Sequence, residues 1–183
     1  MISLVSMRDL QAEQLRELYD CESRITRMLP DMIKLAWHDS LADAFRSHLS
    51  EVRLHVARLA GLLESLEPAT GGTPTGAFDG LVGEISGSFW SEKPDEVLDV
   101  ALIIDLRRLL AVAIAGYTTL IALAEATGDL AMAGPLRQML EEVVIAEHRL
   151  VRLARHEVNP DGALAGIPEE ARRLGIGTQW TDF

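Results

Sequence analysis

Cysteine is almost absent from this 183-residue chain. Cys21 is the only one, so neither an intrachain disulfide nor a thiolate zinc cluster can form, and the sequence is compatible with a reducing compartment. Positive charge is also scarce. Seventeen Lys plus Arg against 28 Asp plus Glu leave a formal net charge of -11, and an acidic surface of that kind repels phosphate backbones and anionic lipid. Neither nucleic acid nor a membrane is therefore an expected partner. The longest uncharged run, Leu109 to Ala124, has 16 residues, whereas a spanning helix needs roughly 20; it reads as a buried core helix. The opening MISLVSMRDLQAEQ has no basic region followed by an apolar run, so no secretory signal is expected and the cytoplasm is the default location. P-loop, dinucleotide-binding glycine fingerprint, HExxH and serine nucleophile elbow are all missing, which leaves hydrolase and nucleotide chemistry without support.

Apolar alternation typical of strands is also missing, and four long stretches carry helical periodicity instead. The first, about Met7 to Trp37, has an inward stripe of Leu18, Glu22, Ile25, Leu29, Met32 and Ala36; Pro30 inside it predicts a local kink. The second, about Ser40 to Glu67, carries Leu41, Phe45, His48, Val52, His55, Leu59, Leu62 and Leu66, which puts two histidines on core-facing positions. After Pro68 the Gly-, Thr- and Pro-rich ATGGTPTGAFDG cannot continue a helix. A short apolar segment from Phe78 to Ile85 suggests one or two turns before GSFWSEKPDE breaks the chain again. The third helix starts near Pro94 or Asp95 and runs to about Thr127, with an acidic first turn that suits the helix dipole. The fourth begins near Asp129, is disturbed at Gly134-Pro135, and continues to about His156 with Leu136, Leu140, Val143, Glu147, Leu150 and Ala154 on its stripe.

Roughly 27 residues thus separate the second and third long helices, far beyond the 2 to 8 of ordinary helix connections. Two helical hairpins joined by one long crossover make the ferritin-like variant of an all-α four-helix bundle. The bundle is expected over residues 1–157. Residues 158–183 form a C-terminal tail in which Ile167-Pro168-Glu169-Glu170 resembles the start of a short helix ending at Gly175.

The wording of several blocks is more specific. ELYDCESRITRMLPDM (Glu17 to Met32) resembles the opening helix of the YciE/YciF family of ferritin-like bacterial stress proteins. LADAFRSHLSEVRLHVARL, AFDGLV, DVALIIDLRRLLAVAIAGYTTL and LRQMLEEVVIAEHRLVRLA are similar to its second helix, crossover, third and fourth helices. The resemblance covers about residues 4 to 157. It implies a four-helix bundle, often a homodimer, with a carboxylate-rich dinuclear iron or manganese site built from about six ligands. Carried over residue by residue, that ligand set mostly fails. Glu22 matches the first-helix acid and Glu147 stands where the family commonly has Asp. Ser50, Arg53, Leu110, Ala113 and Val143 occupy the other positions, and no acid lies between Asp105 and Glu125 in the third helix.

The expected function is therefore that of a divergent family member with a degenerate site, without a metal cofactor, acting non-catalytically through a homodimer or a protein partner. The uncharged third helix, the Trp-containing crossover and the tail TQWTDF motivate the interaction role. Two alternatives remain: a di-iron or di-manganese ferroxidase or peroxide-consuming enzyme, and a mononuclear iron, manganese or zinc site at Glu22, Glu147 and His55, with His48 or Glu51. His48, Glu51 and His55 lie within one and a half helical turns. Buried carboxylates at Glu22 and Glu147 each require a partner or a proton. Arg53 is expected to pair with one of them in place of a metal, Cys21 to serve packing, and the helix-four charges Glu141, Glu142, Arg149 and Arg152 to be solvated. Tyr19 and Tyr117 are candidate hydroxyl donors to a polar core.

Overall fold

The computed structural model describes residues 6–66, 79–89 and 92–160. Its elements are α1 (Met7–Leu35), α2 (Asp39–Ser65), α3 (Asp79–Ser88), α4 (Asp95–Thr127) and α5 (Leu130–Leu153), the last running into a π-type turn at Ala154–Val158. No strand occurs among the described residues. The fold is the all-α four-helix bundle expected from periodicity, with α1, α2, α4 and α5 as its members and α3 inside the long crossover. The tail helix proposed at Ile167 to Gly175 lies outside the described residues.

Local chemistry sets the boundaries. Ser6 caps α1 by accepting the backbone N–H of Asp9, and Asp129 caps α5 by accepting that of Met132. Both satisfy N–H groups that a helix start would otherwise leave orphaned. Pro94 immediately precedes α4, and Gly128 ends it with φ +75°, the left-handed conformation that glycine adopts without a Cβ penalty. Pro30 lies within an α1 assigned as one continuous helix, and Pro135 falls in the second turn of α5 rather than delaying its start.

The core forms where the apolar stripes of the four long helices meet. Leu15, Ile25, Leu29 and Met32 of α1, Leu41, Phe45, Val52 and Leu59 of α2, Leu106, Leu110, Ala113 and Leu120 of α4, and Leu136, Met139, Val143 and Leu150 of α5 are all buried. Gly116 permits close contact between α1 and α4, since a Cβ there would sit 3.1 Å from Leu18 Cδ1. Across the crossover, Asp79 of α3 pairs with Arg24 at 2.6 Å and Ile85 is fully buried.

Side chains also tie each hairpin's turn to the other hairpin. Between α1 and α2, the backbone N–H groups of Trp37 and His38 both donate to Asp99 in α4, each at 2.8 Å, and His38 Nδ1 lies 2.6 Å from the same carboxylate. At the opposite end, Gln11 of α1 donates to Asp129 in the α4–α5 turn at 3.4 Å and accepts from the Thr127 hydroxyl at 3.0 Å. Because α4 starts beside the α1–α2 turn while α2 ends at the far end, the crossover must travel the length of the bundle. Its unusual length follows from that return path.

Candidate functional site

Each of the four bundle helices contributes one polar side chain to a common cluster. Glu22 enters from α1, His55 from α2, Tyr117 from α4 and Glu142 from α5. The Tyr117 hydroxyl donates to Glu22 Oε1 at 2.8 Å in a buried hydrogen bond. His55 presents its two ring nitrogens to two carboxylates, with Nδ1 3.7 Å from Glu22 Oε1 and Nε2 2.7 Å from Glu142 Oε2. The His55 and Tyr117 rings meet edge to face, their centroids 6.2 Å apart. Glu142 is only partly buried, and Gln138 donates to its Oε1 at 3.0 Å while Arg58 lies 3.6 Å away. The cluster thus reaches from the sealed bundle axis to the surface between α2 and α5.

Its electrostatics follow from that placement. Burial pulls the His55 pKa down, but the facing carboxylates of Glu22 and Glu142 outweigh it and hold the imidazole above its ordinary value. Burial raises the Glu142 carboxyl, yet His55, Gln138 and Arg58 together leave it below the ordinary carboxylate value. Tyr117 is pushed strongly upward by burial and by the Glu22 charge, so it remains a phenol and a donor. Cys21, next to Glu22 in sequence, is raised to about 12 by burial first and then by the charges of Glu22 and Asp20. It is a packing thiol rather than a nucleophile, since the thiolate is the reactive form.

The remaining candidates separate in space. His48 is buried, its ring nitrogens have no hydrogen-bond partner among the described residues, and its Nδ1 lies 3.6 Å from Glu51 Oε2. These two side chains line a small cavity with Leu106, Ile145 and Arg149, apart from the His55 cluster. Glu147 is not on the core-facing stripe. It is about a fifth exposed and accepts two bonds from Arg107, at 2.9 and 2.7 Å. Arg53 is exposed and makes no ion pair among those found for the described residues, so its expected pairing with Glu22 or Glu147 is corrected: Tyr117 and His55 serve Glu22, and Arg107 serves Glu147. Glu142 is corrected from a solvated charge to a member of the cluster.

The donor set does not fit a dinuclear centre. Leu110, Ala113 and Val143, which stand where the family resemblance places acids, are fully buried aliphatic side chains. Glu22 and Glu142 face opposite nitrogens of one imidazole, so a single ion cannot use that ring and both carboxylates together. Among the described residues no group of three or more His, Cys, Asp or Glu converges on a point that would hold a metal.

A family described as a domain of unknown function (DUF892) matches residues 6–163. The chain belongs to that family. Among similar proteins, Protein YciF of Escherichia coli K12 is 29% identical over 159 residues, covering 86% of this chain and 96% of the relative. The crystal structure of the E. coli stress protein YciF superposes with a TM-score of 0.78, covering 85% of this chain and 99% of that one. YcfI from Rhodopseudomonas palustris is 32% identical with a TM-score of 0.75, over 81% of this chain and 95% of the other. The likeness to the YciF family noted from the α1 wording therefore holds for nearly the whole bundle. No helix among the described residues is long and apolar enough to cross a membrane.

Proposed function

We propose that this DUF892 chain is a cytoplasmic, ferritin-like member of the family that has exchanged the dinuclear metal centre for a hydrogen-bonded polar cluster. It acts as a non-catalytic, stress-associated binding protein. One observation carries the reading: Glu22 is engaged by Tyr117 and His55 while Leu110, Ala113 and Val143 fill the ligand positions with hydrocarbon. Oxygen or peroxide reduction at a paired metal site needs carboxylate bridges on both sides of the metals, and α4 has no acid between Asp105 and Glu125, the stretch that faces Glu22.

A mononuclear site is the second reading. Glu22 Oε2 and His55 Nδ1 are both buried and without hydrogen-bond partners among the described residues, which is the arrangement a single ion would relieve.

Metal content by inductively coupled plasma mass spectrometry separates these readings. The protein would be purified without chelator or affinity metal and then reloaded anaerobically with Fe(II), Mn(II) or Zn(II), with Glu22→Ala as control. Less than a tenth of an equivalent is expected. One equivalent lost in the variant would establish the mononuclear site. Two equivalents, with absorbance near 350 nm on admitting air to the Fe(II) form, would restore the oxidase and overturn the proposal.

A further inference from the structure

Basic residues are few in this chain and unevenly spread. Residues 46–58 of α2 and 145–155 of α5 hold six of the 17, all arginine, against two acids, Glu51 and Glu147, and Glu147 is turned towards Arg107 of α4. Two large aliphatic side chains stand exposed in the same stretches, Leu54 at 57% and Ile145 at 62%. Leu54 follows Glu51 by three residues and precedes Arg58 by four, and Ile145 stands in the same relation to Glu142 and Arg149. Residues so spaced are neighbours on one helix face. Between the two helices, Arg58 lies 3.6 Å from Glu142, and Glu51, Ile145 and Arg149 line one small cavity. Leu54 and Ile145 therefore flank the α2–α5 seam on its solvent side.

The charges around that apolar pair differ in how far they are engaged. Ser47 donates to Glu51 at 3.2 Å, while His55 and Gln138 serve Glu142. Arg149 and Arg152, one and two turns beyond Ile145, are exposed and form no ion pair among the described residues. With its two acids occupied and two guanidiniums open, the seam sets positive charge beside hydrocarbon on a chain of net charge -11. Glu141 is the exposed acid at its edge. The trough between two packed helices accepts the ridge of a third, and helix-in-groove recognition uses apolar anchors three or four residues apart. Neither stretch contains Phe, Tyr or Trp, so the stacking platform of single-stranded nucleic acid binding is missing.

We propose that the α2–α5 seam docks an acidic amphipathic helix of a partner protein, Leu54 and Ile145 taking its apolar stripe and Arg149 and Arg152 its flanking carboxylates. The inference rests on the binding role proposed above and names the chemistry of the partner. A third helix laid along one seam covers less than the ~800 Å² per partner of a standard interface, so dissociation in the micromolar range is expected.

Fluorescence anisotropy on the full chain tests it, using a labelled helical peptide of about 18 residues, roughly five turns, with Leu at three- and four-residue spacing and Glu on both flanks. The comparison probes are a scramble of the same composition, a version with Lys in place of Glu, and a single-stranded oligonucleotide. The acidic helix is expected to bind, and to bind more tightly as salt falls from about 300 to about 50 mM. Leu54→Asp and Ile145→Asp should each weaken it at least about tenfold, with an unchanged thermal melt since both positions are exposed. The double variant Arg149→Glu, Arg152→Glu should lose the acidic helix and gain the Lys version. No binding, equal binding of the scramble, indifference to the Leu54 and Ile145 variants, or displacement of the peptide by the oligonucleotide would overturn the assignment. Metal content is read separately, so two bound metals in a protein that still takes the acidic helix would refute the previous section and leave this one standing.

Discussion

Replacing Tyr117 with Phe isolates the inner hydrogen bond of the cluster without changing ring volume. Tyr117 is fully buried, its hydroxyl is the 2.8 Å donor to Glu22 Oε1, and Glu22 Oε2 has no hydrogen-bond partner among the described residues. After the substitution the carboxylate retains only the His55 contact at 3.7 Å. Removing one partner of a buried polar group costs about 1–3 kcal/mol, with more expected where the acceptor is charged. A loss of about 2 kcal/mol lowers Tm by roughly 4–8 °C in a chain of this size. Urea denaturation at pH 7 and a thermal melt would measure it, and Glu22→Gln would close a double-mutant cycle. A coupling energy above about 1 kcal/mol is expected because the residues share one bond. If Tyr117→Phe changes stability by less than about 0.5 kcal/mol, or if the two effects simply add, the hydroxyl is not supporting a buried carboxylate and the account of the cluster is wrong.

Titration of His55 gives a second test. Its folded pKa lies above the ordinary 6.5, so its stabilising contribution is complete below that value and declines as pH rises through the folded pKa. His55→Gln should flatten that alkaline decline in stability, and an unchanged slope would assign it to another group. Asp99→Ala removes the acceptor of two backbone N–H groups and the His38 ring; a loss of roughly 2–4 kcal/mol in urea denaturation is expected, and one below about 1 kcal/mol would contradict the role given to it. Gly128→Ala forces a Cβ into φ +75° where no neighbour lies within 4 Å, so about 1–2 kcal/mol of conformational strain alone should appear. Arg53→Glu, at an exposed position, should alter stability by less than about 0.5 kcal/mol; a larger loss would revive its pairing with a core carboxylate.

Periodicity located the four bundle helices because each buries a broad stripe over many turns. The α2 stripe from Leu41 to Leu59 lands in the core as read, including both histidines. In α5 the spacing was legible but the rotational phase only in part. Leu136, Val143, Leu150 and Ala154 are buried as read, whereas Met139 and Ala146 are buried where the stripe reading has Leu140 and Glu147, a shift of one residue. Alanine at 146 carries too little hydrophobic contrast to fix the phase. The same ambiguity placed Glu147 inward and left Glu142 on the solvent side. Glu22 and His55 were visible as polar residues interrupting apolar stripes, and Tyr117 as a candidate hydroxyl donor. Their common meeting point depends on how four helices align axially, which no single helix encodes. The absence of acids between Asp105 and Glu125 of α4 could be read directly because it does not depend on register.

The reciprocal turn ties have a consequence for how the chain can be made. Asp99 follows the α1–α2 turn by about 60 residues, and Asp129 follows Gln11 by 118. On a ribosome, the first hairpin therefore emerges with two turn amides and a buried-facing glutamine that lack their eventual partners. It must wait for α4 and α5 before its end is closed. Neither half is a self-sufficient folding unit on this wiring; fragments spanning 1–66 and 92–160 should be poorly ordered apart and gain helicity when mixed. The architecture gives two hairpins in outline, but assembly proceeds as one cooperative event, with the crossover keeping each half within reach of the other.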